Sequence, residues 1–254
     1  MIFLGIDLGW QTGPSGVCCL RIDRDTLHLV ALGRLDTHTD VLAWVDHHAP
    51  IASPAMVAVD APTLIPNSTG MREPDRLAHK YFGKYHAGCY PANQSLAFAA
   101  KLIAFGQALE HRGFIHAPTL KPQQSGRYQI EFFPHPAMVH LFGLSRILKY
   151  KKGRIAQRCQ ELKRLRMLIL RHLPAHTPSL TPPTLPDVPE RGTALKAVED
   201  QLDSLVCAYG GAHWWYWGQH RNQVLGSLKT GYIVVPTPYD IQDYSPAKAP
   251  AGGS

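Results

Sequence analysis

Two short apolar runs early in the chain each end in an aspartate. Residues 2–6 are apolar up to Asp7, and residues 55–59 are apolar up to Asp60. Short runs of this kind, bounded by glycine and proline, are typical of buried β-strands. Functional groups of open α/β sheets gather at the carboxyl ends of strands, so both aspartates are candidate site residues. The alternative for each is a turn cap formed by the side chain.

The remaining apolar periodicity predicts an α/β fold. Residues 16–22 and 27–32 predict two strands that follow the first in an antiparallel three-strand meander. Residues 128–133 predict a later strand that carries one charge, Glu131, whose alternative role is an outward-facing strand residue. Helices are predicted at 39–49, 94–112, 153–172 and from about 190–193 to 217, with a final hairpin at 223–236.

Three stretches fall outside this pattern. Residues 62–94 form a long loop insertion, which is either an ordered surface that stacks on bases and holds phosphates or a solvated insertion with a short helix near 73–82. The proline-rich residues 174–189 predict a semi-rigid linker. The tail, 240–254, is rich in Pro, Ala and Gly and is predicted to be disordered. The rest, 1–239, is predicted to be a single domain.

The positive charge of the chain is concentrated in one segment. The 254 residues carry a formal charge of +7, whereas residues 146–172 hold ten basic residues and one acid, Glu161, a net charge of +9. An apolar stripe in this segment predicts a helix that docks on the body and presents its arginines to solvent. We predict that it binds the phosphates of a nucleic acid; the alternative is a solvated face. The predicted contacts are Lys151, Lys152, Arg154, Arg158 and Arg164, with Arg72 and Arg76 of the loop insertion.

The cysteines and the apolar runs limit the other classes. The five cysteines include no CxxC pair, so we expect reduced thiols and a cytoplasmic protein. No apolar stretch approaches the roughly 18 residues that span a bilayer, and we expect no membrane partner. Asp7 within the first apolar run argues against a signal peptide. The oligomeric state is not indicated.

Five carboxylates come from otherwise apolar surroundings. Besides Asp7, Asp60 and Glu131, they include Asp200 and Asp203, which are three residues apart and share one face of the last predicted helix. Converging acids repel one another unless a cation lies between them, and their hard oxygen ligands suit Mg²⁺ or Mn²⁺. Two such ions can activate water and stabilise the leaving oxygen in phosphodiester hydrolysis. We therefore take all five acids as candidate catalytic residues.

The order of these motifs resembles the RNase H fold, a mixed sheet with an antiparallel three-strand meander followed by parallel strands and flanked by helices. More specifically, the chain resembles family 429 of the domains of unknown function, predicted RNase H-like nucleases, over roughly residues 2–215. The segments that carry this resemblance are Gly5-Ile6-Asp7, Val59-Asp60-Ala61-Pro62, Arg72-Glu73-Pro74-Asp75-Arg76, Glu131-Phe132-Phe133-Pro134-His135-Pro136 and Glu199-Asp200-Gln201-Leu202-Asp203-Ser204-Leu205.

The helix pair is also similar to the paired aspartates on the last helix of RuvC-type Holliday-junction resolvases. This resemblance implies that Asp7 bridges two metal ions, that Asp60 binds one, and that Asp203 with Asp200 completes the site. It implies no role for Glu131. The chain has Asp203-Ser204 where the family usually has Asp-Ala, a change between small residues that keeps the carboxylate.

Two classes of protein other than a nuclease, the second and third interpretations of this sequence, remain open. The stretch Gly5–Gly9 also resembles the first phosphate loop of actin-like ATPases and sugar kinases, although those proteins need a second glycine-rich loop, and here Asp60 is followed by Ala61-Pro62. A third class is a nucleic-acid-binding module without catalysis, in which only the basic helix acts. The sequence thus predicts a metal-dependent nuclease, with the nucleotide-binding protein and the module as alternatives.

Overall fold

The first strand of the chain lies in the middle of a seven-stranded sheet. The computed structural model describes residues 1–10 and 13–238. The strands of the sheet are β1 (Ile2–Asp7), β2 (Ser15–Asp23), β3 (Thr26–Leu35), β4 (Ala55–Val59), β5 (Ile115–His116), β6 (Arg127–Glu131) and β7 (Ser179–Leu180). They lie in the order β5-β6-β4-β1-β2-β3-β7. β1 pairs antiparallel with β2 and parallel with β4, so the meander continues into a parallel half, and the predicted fold class is confirmed.

Helices cover both faces of this sheet, and a hairpin follows the last helix. The helices are α1 (His38–His48), α2 (Glu73–Phe82), α3 (Ala99–Glu110), α4 (Pro134–Leu141), α5 (Ile155–His172) and α6 (Gly192–Trp217), and the hairpin is β8 (Asn222–Ser227) with β9 (Gly231–Pro236). Within the described residues, no helix is both long enough and apolar enough to cross a membrane. The five cysteines are free thiols.

Side chains alternate between two apolar clusters along β1, as the period of a strand requires. Phe3 belongs to the cluster shared with α5 and α6, whereas Leu4 and Ile6 belong to the cluster shared with α1 and α3. Asp7 has the same parity as Phe3 and therefore faces the α6 side of the sheet. The apolar stripe of α5 is buried, as its sequence predicts.

Two glycines let α6 lie directly on the sheet beside the end of β1. A Cβ at Gly5 would overlap the backbone O of Ser204 and the backbone N of Ala208, and a Cβ at Gly16 would overlap the backbone O of Asp200. Gly16 is the residue paired with Asp7. The absent side chains therefore bring the acidic turn of α6 to the strand end that carries Asp7.

Several elements differ from the predicted ones. α3 begins at Ala99 rather than near residue 94, because the side chain of Asn93 accepts from Ser95 N and Oγ and holds a turn there. α4 has no counterpart among the predicted helices, and it starts with Pro134 in its first turn. Within the stretch predicted as a linker, β7 pairs with β3.

The loop insertion contains α2, which matches the solvated-insertion alternative in position. The predicted disordered tail, 240–254, lies outside the described residues.

Candidate functional site

Three of the predicted acids converge at the ends of adjacent elements. Asp7 ends β1, and Asp60 follows β4, where its backbone N donates to Ile6 O at 2.8 Å. Asp203 reaches the same place from α6 and is fully buried. Burial raises the pKa of Asp7 well above its usual value; nearby Lys151 opposes the shift, whereas Asp203 and Asp60 add to it.

The ammonium of Lys151 forms ion pairs with two of these carboxylates and attracts the third, Asp7. Nζ of Lys151 lies 2.8 Å from Oδ2 of Asp203 and 4.0 Å from Oδ2 of Asp60. Burial disfavours its charge, but Asp203 and Asp7 raise the pKa of Lys151 well above its usual value. With every group ionised, three carboxylates and one ammonium carry a net charge of −2. Burial, only partly offset by Lys151, accordingly raises the pKa of Asp60 to about 6.

A hydrogen bond to Oδ1 holds the carboxylate of Asp203 in place. Tyr150 OH donates to Oδ1 of Asp203 at 2.6 Å. The contact of Oδ2 with Lys151 is an ion pair without hydrogen-bond geometry, so this buried oxygen has no hydrogen-bond partner among the described residues. One oxygen of the carboxylate is therefore held by a hydrogen bond, whereas the other has an ion pair but no hydrogen bond.

The second acid of the helix pair is already neutralised by protein cations. Asp200 lies 2.9 Å from Nε of Arg34 and 2.7 Å from Nζ of Lys196. Its neighbour Glu199 contacts Lys196 at 2.7 Å and Arg158 at 3.4 Å. Arg158 also donates to the backbone O of Tyr150 at 2.9 Å and is therefore part of the wall of the site.

Glu131 belongs to a separate buried network with Arg72 and Asp75. Nη1 and Nη2 of Arg72 each donate to Glu131 at 2.7 Å, while Nε and Nη2 donate to Asp75 at 3.1 and 2.8 Å. Nη1 also donates to the backbone O of Leu64 at 3.0 Å. All five N–H groups of the guanidinium thus have protein partners, and none is left for a phosphate. This network ties the loop insertion to the end of β6.

The carboxylates open onto a cleft of about 470 Å³. Among the residues that line it are Asp7, Trp10, Asp60, Tyr90, His135 and Lys151. Burial and the charge of Lys151 lower the pKa of His135 to about 4, so this imidazole is neutral near pH 7. His135, Tyr150 and Lys196 were not among the predicted site residues. His135 and Tyr150 carried a signal only by adjacency, since His135 follows Glu131 closely and Tyr150 precedes Lys151.

Two of the remaining predicted basic residues, Lys152 and Arg164, line a second depression that shares no lining residue with the cleft. A groove of about 640 Å³ is lined by Arg146, Lys149, Lys152 and Arg164, with Glu161 as its acid. Glu161 lies 4.0 Å from Arg164. Arg154 and Arg76 are exposed, and Arg76 donates to the backbone O of Met71 at 3.0 Å. We call the groove that is lined by Arg146, Lys149, Lys152 and Arg164 the basic groove.

The three aspartates fit a divalent cation in chemistry, although not in their present spacing. Among the described residues, no group of three or more His, Cys, Asp or Glu side chains is close enough to hold a metal ion. With Lys151 and every group ionised, Asp7, Asp60 and Asp203 nevertheless supply hard oxygen donors and an excess of two negative charges, and Oδ2 of Asp203 has an ion pair but no hydrogen bond. Their chemistry therefore suits Mg²⁺ or Mn²⁺.

Comparison with known proteins identifies the family. No curated protein matches the chain. A family model described as "Protein of unknown function (DUF429)" matches residues 5–227, a range that includes the three aspartates, Lys151 and the basic groove. The chain therefore belongs to the DUF429 family, as its motifs predicted.

Proposed function

We propose that this protein is a cytoplasmic, metal-dependent nuclease that hydrolyses phosphodiester bonds in a nucleic acid. The observation that carries the proposal is that Asp60 and Asp203 share the ammonium of Lys151, which also attracts Asp7, and that Asp7, Asp60 and Lys151 line one cleft. Acids arranged in this way are short of positive charge, which a divalent cation supplies. The proposal is consistent with the RNase H-like order of strands.

The roles of the residues follow from their contacts. Asp7, Asp60 and Asp203 would hold Mg²⁺ or Mn²⁺, which when bound lowers the pKa of water and stabilises the leaving oxygen. Tyr150 orients Asp203 through Oδ1. Asp200, held by Arg34 and Lys196, shapes the wall of the site.

The basic groove supplies the second part of the proposal. Four basic side chains face one acid there, so the groove attracts a polyanion. Lys149 and Lys152 line the groove, whereas Lys151 between them lines the cleft. A nucleic acid whose backbone lies in the groove would therefore have to extend past this segment to reach the carboxylates.

Cleavage assays with purified protein test this function. We expect labelled single-stranded, duplex, hybrid or branched substrates to be cut with Mg²⁺ or Mn²⁺ and to stay intact with chelator. Asp203→Asn should slow cleavage by at least about 100-fold, because even outer-shell changes at metal sites typically cost 10–100-fold. Asp36→Asn, an exposed aspartate on the loop before α1, is the matched control and should cut normally.

The non-catalytic binding module is the second candidate, and the basic groove is the observation that favours it. Salt-dependent binding without product in any metal condition would support the module and reject the nuclease. The nucleotide-binding alternative has less support, because Gly9 N donates to Ser15 Oγ at 3.0 Å instead of facing a phosphate.

A further inference from the structure

The side chain of Lys151 occupies the place that a cation would take among the aspartates. Its Nζ is within 4.0 Å of carboxylate oxygens from both Asp60 and Asp203, which come from different elements. Asp203 is fully buried and is not among the described residues that line the cleft, whereas Lys151 is. The ammonium of Lys151 therefore lies between the cleft and Oδ2 of Asp203.

We propose that Lys151 is an internal competitor of the metal: its ammonium closes the site, and it must withdraw before a divalent cation can contact Asp60 and Asp203. This inference rests on the metal site of the proposed function. It also accounts for the spacing of the acids, since carboxylates arranged around an ammonium at 2.8 and 4.0 Å are not arranged around a metal ion, whose ligand distances are about 2.0–2.1 Å for Mg²⁺.

The charges of the site favour replacement of the Lys151 ammonium by a divalent cation. With Lys151 in place the three carboxylates keep a net charge of −2, and exchanging an ammonium for a dication reduces this to −1. Both cations cannot occupy the same place beside Oδ2 of Asp203, where the ammonium already lies 2.8 Å from the oxygen, and like charges a few ångströms apart repel. The side chain of Lys151 is 30% exposed toward the cleft, which gives the ammonium a path to solvent. There it would face the phosphate of a bound nucleic acid.

Calorimetric titration with Mn²⁺ in the absence of nucleic acid tests the competition. Lys151→Gln removes the ammonium while keeping a long polar side chain, and we expect it to bind Mn²⁺ about 10-fold more tightly than the wild type, within the usual range for coupled binding. Lys152→Gln removes the neighbouring lysine on the groove side and should leave the affinity within about twofold, since solvent screens its charge.

A second measurement uses the wild-type protein and so does not depend on a variant that folds. Lysines are acylated with an amine-reactive ester, and the modification is quantified by peptide mass spectrometry. Without metal, Lys151 should react more slowly than Lys152, and Mn²⁺ should raise its rate toward that of Lys152. If Mn²⁺ binds but Lys151 stays protected and Lys151→Gln gains no affinity, the competition is refuted while the metal site stands. If neither protein binds Mn²⁺, the metal site falls as well.

Discussion

Removing Arg72 should destabilise the protein more than any change on its basic surface. Side-chain exposure is 2% for Arg72, 0% for Asp75 and 8% for Glu131, so these charges are desolvated and rely on one another. Arg72→Ala leaves two carboxylates buried without their cation. Breaking a buried pair in this way typically costs about 3–5 kcal/mol, which for a chain of this size lowers the melting temperature by roughly 6–20 °C.

Urea denaturation followed by circular dichroism measures this loss. Arg76→Ala, which removes an exposed arginine four residues along the chain, is the matched control and should stay within about 0.5 kcal/mol. Glu131→Gln keeps the pair with Asp75 and should lose about 1–3 kcal/mol. The double variant Arg72→Ala/Glu131→Gln should lose less than the sum of these two single variants, because the two residues share one network. A loss below about 1 kcal/mol for Arg72→Ala would refute the network as a source of stability.

Three further predictions concern the site and its surroundings. Gly5→Ala should cost about 1–3 kcal/mol by thermal unfolding, because its Cβ would overlap the backbone of α6, whereas Gly33→Ala, whose Cβ would have only Val17 Cγ2 at 3.8 Å, should be nearly neutral; equal effects would refute the close approach. Burial raises the pKa of Asp60 to about 6, so its contribution to the stability of the metal-free protein is fully present below about pH 4, the unfolded value, and is lost as the pH rises through 6. Asp60→Asn should remove that slope, roughly 2–3 kcal/mol in total, from denaturation curves taken across this range; an unchanged slope would show that Asp60 does not cause it. Lys152→Glu and Arg164→Glu should each weaken nucleic-acid binding, measured by fluorescence anisotropy, and lower the slope of log affinity against log salt concentration by about 1. An unchanged slope would show that the groove is a solvated surface that does not bind phosphates.

The sequence predicted the acids of the site better than their partners. Asp7 and Asp60 were visible because each ends an apolar strand, and Asp203 because it lies on an otherwise apolar, small-residue helix. Lys151 was predicted only as one of several phosphate contacts. Nothing local distinguishes it from Lys152, and its place is set by a buried Tyr150 that points toward Asp203, a contact between residues far apart in the chain.

The burial of Arg72 likewise could not be predicted from neighbouring residues in the sequence. Its spacing from Asp75 was visible in the sequence, but its burial depends on Glu131, which lies on a distant strand. The sequence does not indicate α4, because Pro134 and Pro136 interrupt the apolar pattern after the predicted strand at 128–133, although proline is well accepted in the first turn of a helix. β7 has only two residues, and its pairing with β3 rather than its own propensity makes it a strand.

The chain order of the three aspartates has a consequence for synthesis and folding. Asp7 stands near the start of the chain, whereas Asp203 lies on the last helix and reaches Asp7 only after α6 has docked on Gly5 and Gly16. Contacts of such long sequence separation form late, because the intervening chain must first be closed into a loop. A nascent or truncated chain without α6 therefore has no complete acid cluster. Any activity that depends on this cluster begins only when the fold is finished.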